Sequence, residues 1–317
     1  MPAIKCLAVG LKRVFHTPSL ILWLYIALIA LAFPLAAAMR SVLRGAIGDS
    51  LVQQNLRQGF DLDWYGEFAA KHAGLAGSFG PGVVGILPMM GNLEKVVDGT
   101  LFETDGTVLA VGVLFLLVWA FFGGGVIYRY ANPENDFSRP ILFAESARFF
   151  CRFVRLLIVS VALYWAVAHW LAGELFRWME EATRDVTAER TVMLYTALIY
   201  ALILLVLVLL GVVFDYAKIA LVCENRSSAI LALVRGFRFV LAHPVKCSGI
   251  YLALLLAGGI WLAAFSLIAP GPNQSTTLAV ILTFGLGQLF LLGRLILKLW
   301  FLSGQTLLFE SSSKAST

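Results

Sequence analysis

Six runs of about twenty mostly apolar residues limit what this chain can fold into, because that length crosses the hydrocarbon core of a bilayer as a helix. They cover residues 19–39, 108–126, 156–176, 192–214, 248–270 and 276–302. In lipid every backbone N–H and C=O must find a partner within the protein, so only helices and closed barrels span it. None of the runs alternates polar and apolar residues at period two, which argues against a barrel. The sixth run is the least uniform, with Gln288, Arg294 and Lys298 inside it. Composition agrees: 60% of residues are hydrophobic, 14% are charged and the mean hydropathy is +0.86. Soluble domains sit near 45–50% apolar and about 25% charged. The expectation is an all-α polytopic membrane protein, one membrane domain over residues 1–317, with six transmembrane helices. The first run, although it ends near Ala36, Ala37 and Ala38, is too long and too far along the chain for a secretory signal.

Lys and Arg set the orientation. Lys5, Lys12 and Arg13 precede the first span with no acid among them. Bases also outnumber acids around residues 129–155 and 215–246, whereas residues 40–104 and 174–191 are acidic. The expected arrangement is a bacterial inner membrane with both termini cytoplasmic and residues 40–104 forming an outer helical segment. Within that segment Asp61 is placed to cap a helix. Cys6, Cys151, Cys223 and Cys247 all fall on the cytoplasmic side of this map, where disulfides are not expected. The net charge of +5 is spread along a membrane face and does not argue for nucleic acid.

One pattern recurs. GLKRVFHTPSLILWLY, residues 10–25, and GFRFVLAHPVKCSGIY, residues 236–251, align Gly10 with Gly236, Val14 with Val240, Pro18 with Pro244 and Tyr25 with Tyr251. Before each Pro lies an amphipathic pattern: Ile4, Leu7, Ala8, Leu11, Val14 and Phe15 in one, Ile230, Leu233, Val234, Phe237 and Leu241 in the other. The residue before a Pro is pushed out of the α region, so Pro18 and Pro244 predict corners between an interfacial helix and a span. A third copy, residues 141–160, lacks the Pro. It carries Arg148, Arg152 and Arg155 as one basic stripe, with Phe143, Ala147, Phe150 and Val154 facing elsewhere. Three interfacial helices on the cytoplasmic side, each leading into a pair of spans, are therefore expected.

The stretch DYAKIALVCENRSSAILALVRGFRFVLAHP, residues 215–244, resembles a pattern in uncharacterised six-span bacterial inner-membrane proteins and in the membrane domain of some glycerophosphodiester phosphodiesterases. There a span ends, an acid follows (here Glu224), and a basic amphipathic helix leads to the next span. The resemblance implies six helices with both ends inside. It implies no activity, since no soluble phosphodiesterase domain is present.

Candidate chemistry is sparse. No zinc, Walker or nucleophile-elbow motif occurs, so no catalytic residue, metal or cofactor is expected. His16 and His243 flank the corner prolines; His72 and His169 are lone histidines for which a metal or pigment ligand role stays open. Ionisable residues inside spans tend to mark function. Asp215 and Arg294 are expected to pair between helices. Arg148, Arg152, Arg155, Arg235, Arg238, Arg294 and Lys298 form the candidate set for anionic lipid headgroups, each basic residue near such a surface contributing about 1 kcal/mol. Glycines at 123–125, 258, 259, 285, 287 and 293 suggest close helix packing. The midplanes of spans one, two, four and five are apolar, which counts against a polar-solute permease. The expectation is a non-enzymatic structural or accessory subunit of a larger membrane complex, in contact with anionic lipids. A transporter or lipid-handling protein is the alternative.

Overall fold

The computed structural model describes residues 2–48, 61–72, 106–134, 138–186, 188–269 and 276–313, together with Leu56, Ala76 and Phe79. These residues are 91% helical and none lies in a strand. The helices are α1 (Ala3–Phe15), α2 (Pro18–Ile47), α3 (Leu62–Lys71), α4 (Gly106–Ala131), α5 (Arg139–Ala166), α6 (Ala172–Thr183), α7 (Glu189–Cys223), α8 (Ala229–Ala242), α9 (Pro244–Ile268) and α10 (Thr277–Ser313). A π-helical turn, Val167–Leu171, joins α5 to α6. Among the described residues, six stretches are long and apolar enough to cross a membrane: Pro18–Ile47, Val108–Ala131, Arg139–Thr183, Glu189–Cys223, Pro244–Ile268 and Thr277–Ser313. The protein is an all-α polytopic membrane protein.

Both proline corners form. α1 stops at Phe15 and α2 starts at Pro18; α8 stops at Ala242 and α9 starts at Pro244. Proline suits a first helical position because the N–H it lacks would have no partner within the helix. At the first corner Val14 O accepts from both the Thr17 N–H (3.0 Å) and the Thr17 hydroxyl (3.1 Å).

The third copy departs from the expectation. Its basic segment is not a separate helix but the start of α5, which runs unbroken into the span. The reason is the position of the proline: Pro140 sits at the beginning of the segment, where a helix tolerates it, and none interrupts the middle. Leu142, Ser146, Phe149, Phe153 and Leu156 are buried, at alternating spacings of four and three, the seam of a packed helix. Phe143 and Ala147 are exposed.

The chain divides into two compact units, one of Met1–Arg13, Trp119–Ile250 and Leu302–Thr317, the other of Val14–Val118 and Tyr251–Phe301. In the first unit the core is built from the ends of three spans. Phe122–Ile127 of α4, Ile219–Val222 of α7 and Leu302–Phe309 of α10 are each buried without a break. At about 1.5 Å per residue the 37 residues of α10 run to about 55 Å, well beyond a hydrocarbon core of about 30 Å. α10 is thus longer than one straight crossing needs, and its buried end packs into the core of the first unit.

Each interfacial segment packs on the end of the span before it, and a glycine marks each crossing. A Cβ on Gly236 of α8 would stand 2.7 Å from Ala217 N and Val213 O of α7. On Gly124 of α4 it would stand 2.7 Å from the Phe149 Cβ of α5, and on Gly125 it would stand 2.7 Å from Leu142 O. α1 packs instead on α10: a Cβ on Gly10 would stand 2.9 Å from Gly304 N. Gly10 and Gly236, aligned by the sequence repeat, thus do the same work. α1 and α8 also carry a second apolar face. Ile4 and Phe15 of α1, and Ile230, Val234, Phe237 and Leu241 of α8, point outward; the bundle side of α8 is Ala229, Ala232, Gly236 and Phe239. Most apolar residues of the amphipathic pattern read from the sequence therefore lie on the outer surface of α8.

In the second unit, Tyr25 donates to Gln288 Oε1 (2.5 Å), so a polar residue of the sixth span is satisfied by the first. Gly293 lies under the Trp261 ring, with no room for a side chain, whereas a Cβ on Gly258, Gly259, Gly285 or Gly287 would meet nothing within 4 Å. Packing accounts for the first of these glycines and not for the other four. The Asp61 carboxylate caps α3, accepting from the Trp64 N–H (3.0 Å). α2 runs on to Ile47; residues 49–55, 57–60, 73–75, 77, 78 and 80–104 of the expected outer segment lie outside the described residues.

Candidate functional site

The site begins with the way α7 stops. Asn225 has φ +48°, the left-handed conformation that Asn tolerates better than most residues. Its N–H reaches Val222 O (3.2 Å) and the Arg226 N–H reaches Leu221 O (3.1 Å), the paired bonds of a Schellman cap. This turn presents Glu224 to two guanidinium groups. Arg226 Nε donates to one carboxylate oxygen (2.5 Å) and Arg235 Nε, from α8, to the other (2.8 Å). Arg152 of α5 closes the arrangement, donating to Asn225 Oδ1 (2.9 Å) and Arg226 O (3.1 Å). Three helices are thus tied at one cap.

Burial alone would push the Glu224 carboxyl up; hydrogen bonds and charge from Arg235 and Arg226 overcome it and hold the group below the usual range. A depressed folded pKa contributes stability that is fully present above the unfolded value and is lost as pH falls through the folded one. Glu224→Gln is expected to lower stability by roughly 1.5–3 kcal/mol near neutral pH, the range for hydrogen bonds to charged groups. The gap to wild type should hold while pH stays above the ordinary carboxyl value of 4.5 and narrow below it. Thermal unfolding of both proteins in detergent across that range checks this; a gap that widened in acid would contradict it.

Beside this cap a cleft of about 510 Å³ opens where the three span ends meet. α4 contributes Tyr128 and Ala131, with Asn132 just beyond its end; α7 and its cap contribute Cys223, Glu224 and Asn225; α10 contributes Phe309, Glu310 and Ser313. Arg148 and Phe149 of α5 form the remaining wall. The guanidinium groups of Arg148 and Arg152 each stand 5.3 Å from the centre of the Phe149 ring, so one aromatic side chain holds two cations. Arg148 also pairs with Glu145 (3.2 Å). The Asn132 amide donates to Tyr128 O (3.0 Å). Near the α10 side, Arg13 of α1 donates to Tyr130 O. Burial draws the Arg13 pKa down, and the charge of Glu310 works against that.

Of the seven expected headgroup residues, Arg148, Arg152 and Arg235 are gathered around this cleft and its cap. Arg155 and Arg238 are exposed on their helices. Arg294 and Lys298 belong to the second unit, exposed, over the rings of Phe290 and Phe115 (5.9 Å each). Asp215 accepts from Lys218, one turn along α7 (2.9 Å). His72 stacks on Phe68 (4.4 Å) and His169, in the π-helical turn, on Trp165 (5.0 Å). Among the described residues no three His, Cys, Asp or Glu side chains gather as metal ligands. Sequence reading missed Glu310, Asn132 and Asn225.

No family model, curated protein or solved structure matches the chain.

Proposed function

We propose that the protein is a non-catalytic subunit of a larger assembly in a bacterial inner membrane, with both termini and the first unit's bundle on the cytoplasmic side. The observation that carries this reading is the exposed apolar stripe of α9. Leu252, Leu256, Ile260 and Leu267 recur at helical spacing and are 57–88% exposed. Such a stripe needs hydrocarbon or another helix against it. The charges near the cleft support the same reading, because Glu224, Arg226, Arg235 and Arg152 are engaged in holding helices together. The basic excess on one side supports the orientation.

A photo-crosslinking amino acid at Leu256 tests the assembly in intact cells. The expected result is one discrete protein adduct of fixed mass, retained when the protein is purified gently, and no such adduct from the same probe at exposed Arg155. Adducts to lipid alone, with a protein that purifies by itself, would overturn the subunit reading in favour of lipid handling.

A further inference from the structure

We propose that the outward faces of α1 and α8 dock on an anionic lipid surface, with a stripe of apolar side chains among the acyl chains and a base beside it at the phosphates. The sequence repeat carries the inference. Aligning Gly10 with Gly236 also aligns Ile4 with Ile230, Ala8 with Val234, Leu11 with Phe237 and Phe15 with Leu241. Steps of four, three and four residues put these positions on one stripe of a helix. In both copies the glycine faces a packed neighbour and the stripe faces outward: Ile4 is 80% exposed, Phe15 61%, Ile230 66% and Leu241 64%. A base recurs as well. Lys12 and Arg238 share one register position, directly after the third residue of the stripe, and both are exposed. Packing in the first unit explains Gly10 and Gly236. It does not explain an outward half that is apolar, with a base at its margin, in both copies.

Chain connectivity favours lipid over a protein partner. α8 ends at Ala242, and α9, long and apolar enough to cross a membrane, begins at Pro244. At about 1.5 Å per residue the 25 residues of α9 run to about 37 Å, against about 40–45 Å for a bilayer with its headgroups. A crossing α9 has no length left over, so its Pro244 end stands at the headgroups and α8 leads away from that level. α1 joins α2 through the same kind of corner, at Pro18. Charge points the same way. Neither α1 nor α8 contains Asp or Glu, so no acid on these helices repels an anionic surface, which attracts bases. The two bases of α8 also divide their roles. Arg235 is held by Glu224 (2.8 Å), whereas Arg238 stands exposed next to Phe237 of the stripe. An apolar stripe edged by a base is the form of a helix that lies in a membrane interface. The inference does not depend on the subunit reading, because it calls for no partner protein.

The test uses the purified full-length protein in vesicles of equal parts phosphatidylglycerol and phosphatidylcholine. A genetically encoded spin-labelled residue replaces Ile4, Phe237 or, as the water reference beside the Glu224 cap, Ser227. All three side chains are exposed, so the label leaves the packed core in place. Collisions with oxygen, which concentrates in lipid, are compared with collisions with a water-soluble nickel chelate. The expected result is that oxygen dominates at Ile4 and Phe237, and nickel at Ser227. Arg238→Gln should lower the oxygen-to-nickel ratio at Phe237 by up to about fivefold, the weight of one base at an anionic surface. Vesicles of phosphatidylcholine alone should lower it likewise for the unaltered chain. Nickel-dominated labels at both Ile4 and Phe237 would overturn the proposal. Labels shielded from both reagents would overturn it too, by showing that protein, such as a second copy, covers the stripe. A ratio indifferent both to Arg238→Gln and to phosphatidylglycerol would overturn the anionic surface as the occupant.

Discussion

A chain ending after Leu302 is expected to insert its spans and fail to form the first unit. The residues lost include Leu307, Leu308 and Phe309, all buried. In the proposed orientation they lie beyond the hydrocarbon, so their burial is measured against water. Each contributes roughly 1.5–3 kcal/mol, and together they approach the whole stability of a typical domain, about 5–15 kcal/mol. Removing them also strips the partner of Gly10 on α1 and the ring that Phe239 of α8 packs against at 4.8 Å. Limited proteolysis of membranes holding the truncated chain checks this. Cleavage within α8 and the Glu224 cap, at protease levels that leave the full chain whole, is the expected pattern. An unchanged digest would show that the C-terminal turns are an appendage.

The second large effect is expected at Gly236. An alanine there puts a methyl carbon 2.7 Å from backbone atoms of Val213 and Ala217, and backbone cannot swing aside as a side chain can. α8 must then move off α7, taking Arg235 away from Glu224. Overpacking of this kind costs about 1–3 kcal/mol, and loss of the Arg235 bond adds to it. Gly236→Leu should prevent assembly of the bundle. The control is internal. Gly259→Ala and Gly285→Ala meet nothing within 4 Å, and alanine is the better helix former by about 1 kcal/mol. Thermal unfolding in detergent should therefore fall for Gly236→Ala and hold or rise for the other two. Equal losses at all three sites would mean that glycine matters here for flexibility and not for contact.

The two prolines and the six apolar runs were legible because each acts locally. A run of about twenty apolar residues has one outcome in a bilayer, and Pro18 and Pro244 break a helix whatever surrounds them. The end of α10 was not legible. Ser303, Gln305 and Thr306 are fully buried, yet in sequence they dilute the hydropathy of SGQTLLFESSS and make it read as a tail. Which apolar face of α5 packs inward was not legible, because Phe143, Ala147 and Phe150 are as apolar as Leu142, Phe149 and Phe153. Only the neighbouring glycines of α4 choose between the stripes. α8 is apolar on two sides; the bulky side was legible as an amphipathic pattern, whereas the small residues Ala229, Ala232 and Gly236, which with Phe239 face the bundle, carry no such signal. The cleft depends on three segments nearly a hundred residues apart, so no local pattern carries it. The Arg152 contact to the Asn225 cap is of the same kind.

The seating of Gly10 against Gly304 has a consequence for how the protein is made. α1 leaves the ribosome long before the end of α10 is made. At about 5–20 residues per second, α1 spends about 15–60 s without its partner, its bundle side uncovered. The bundle closes only once residues 302–309 have been synthesised. A nascent chain interrupted anywhere between α1 and Leu302 thus carries its own mark of incompleteness, an orphaned amphipathic helix that quality-control proteases can reach.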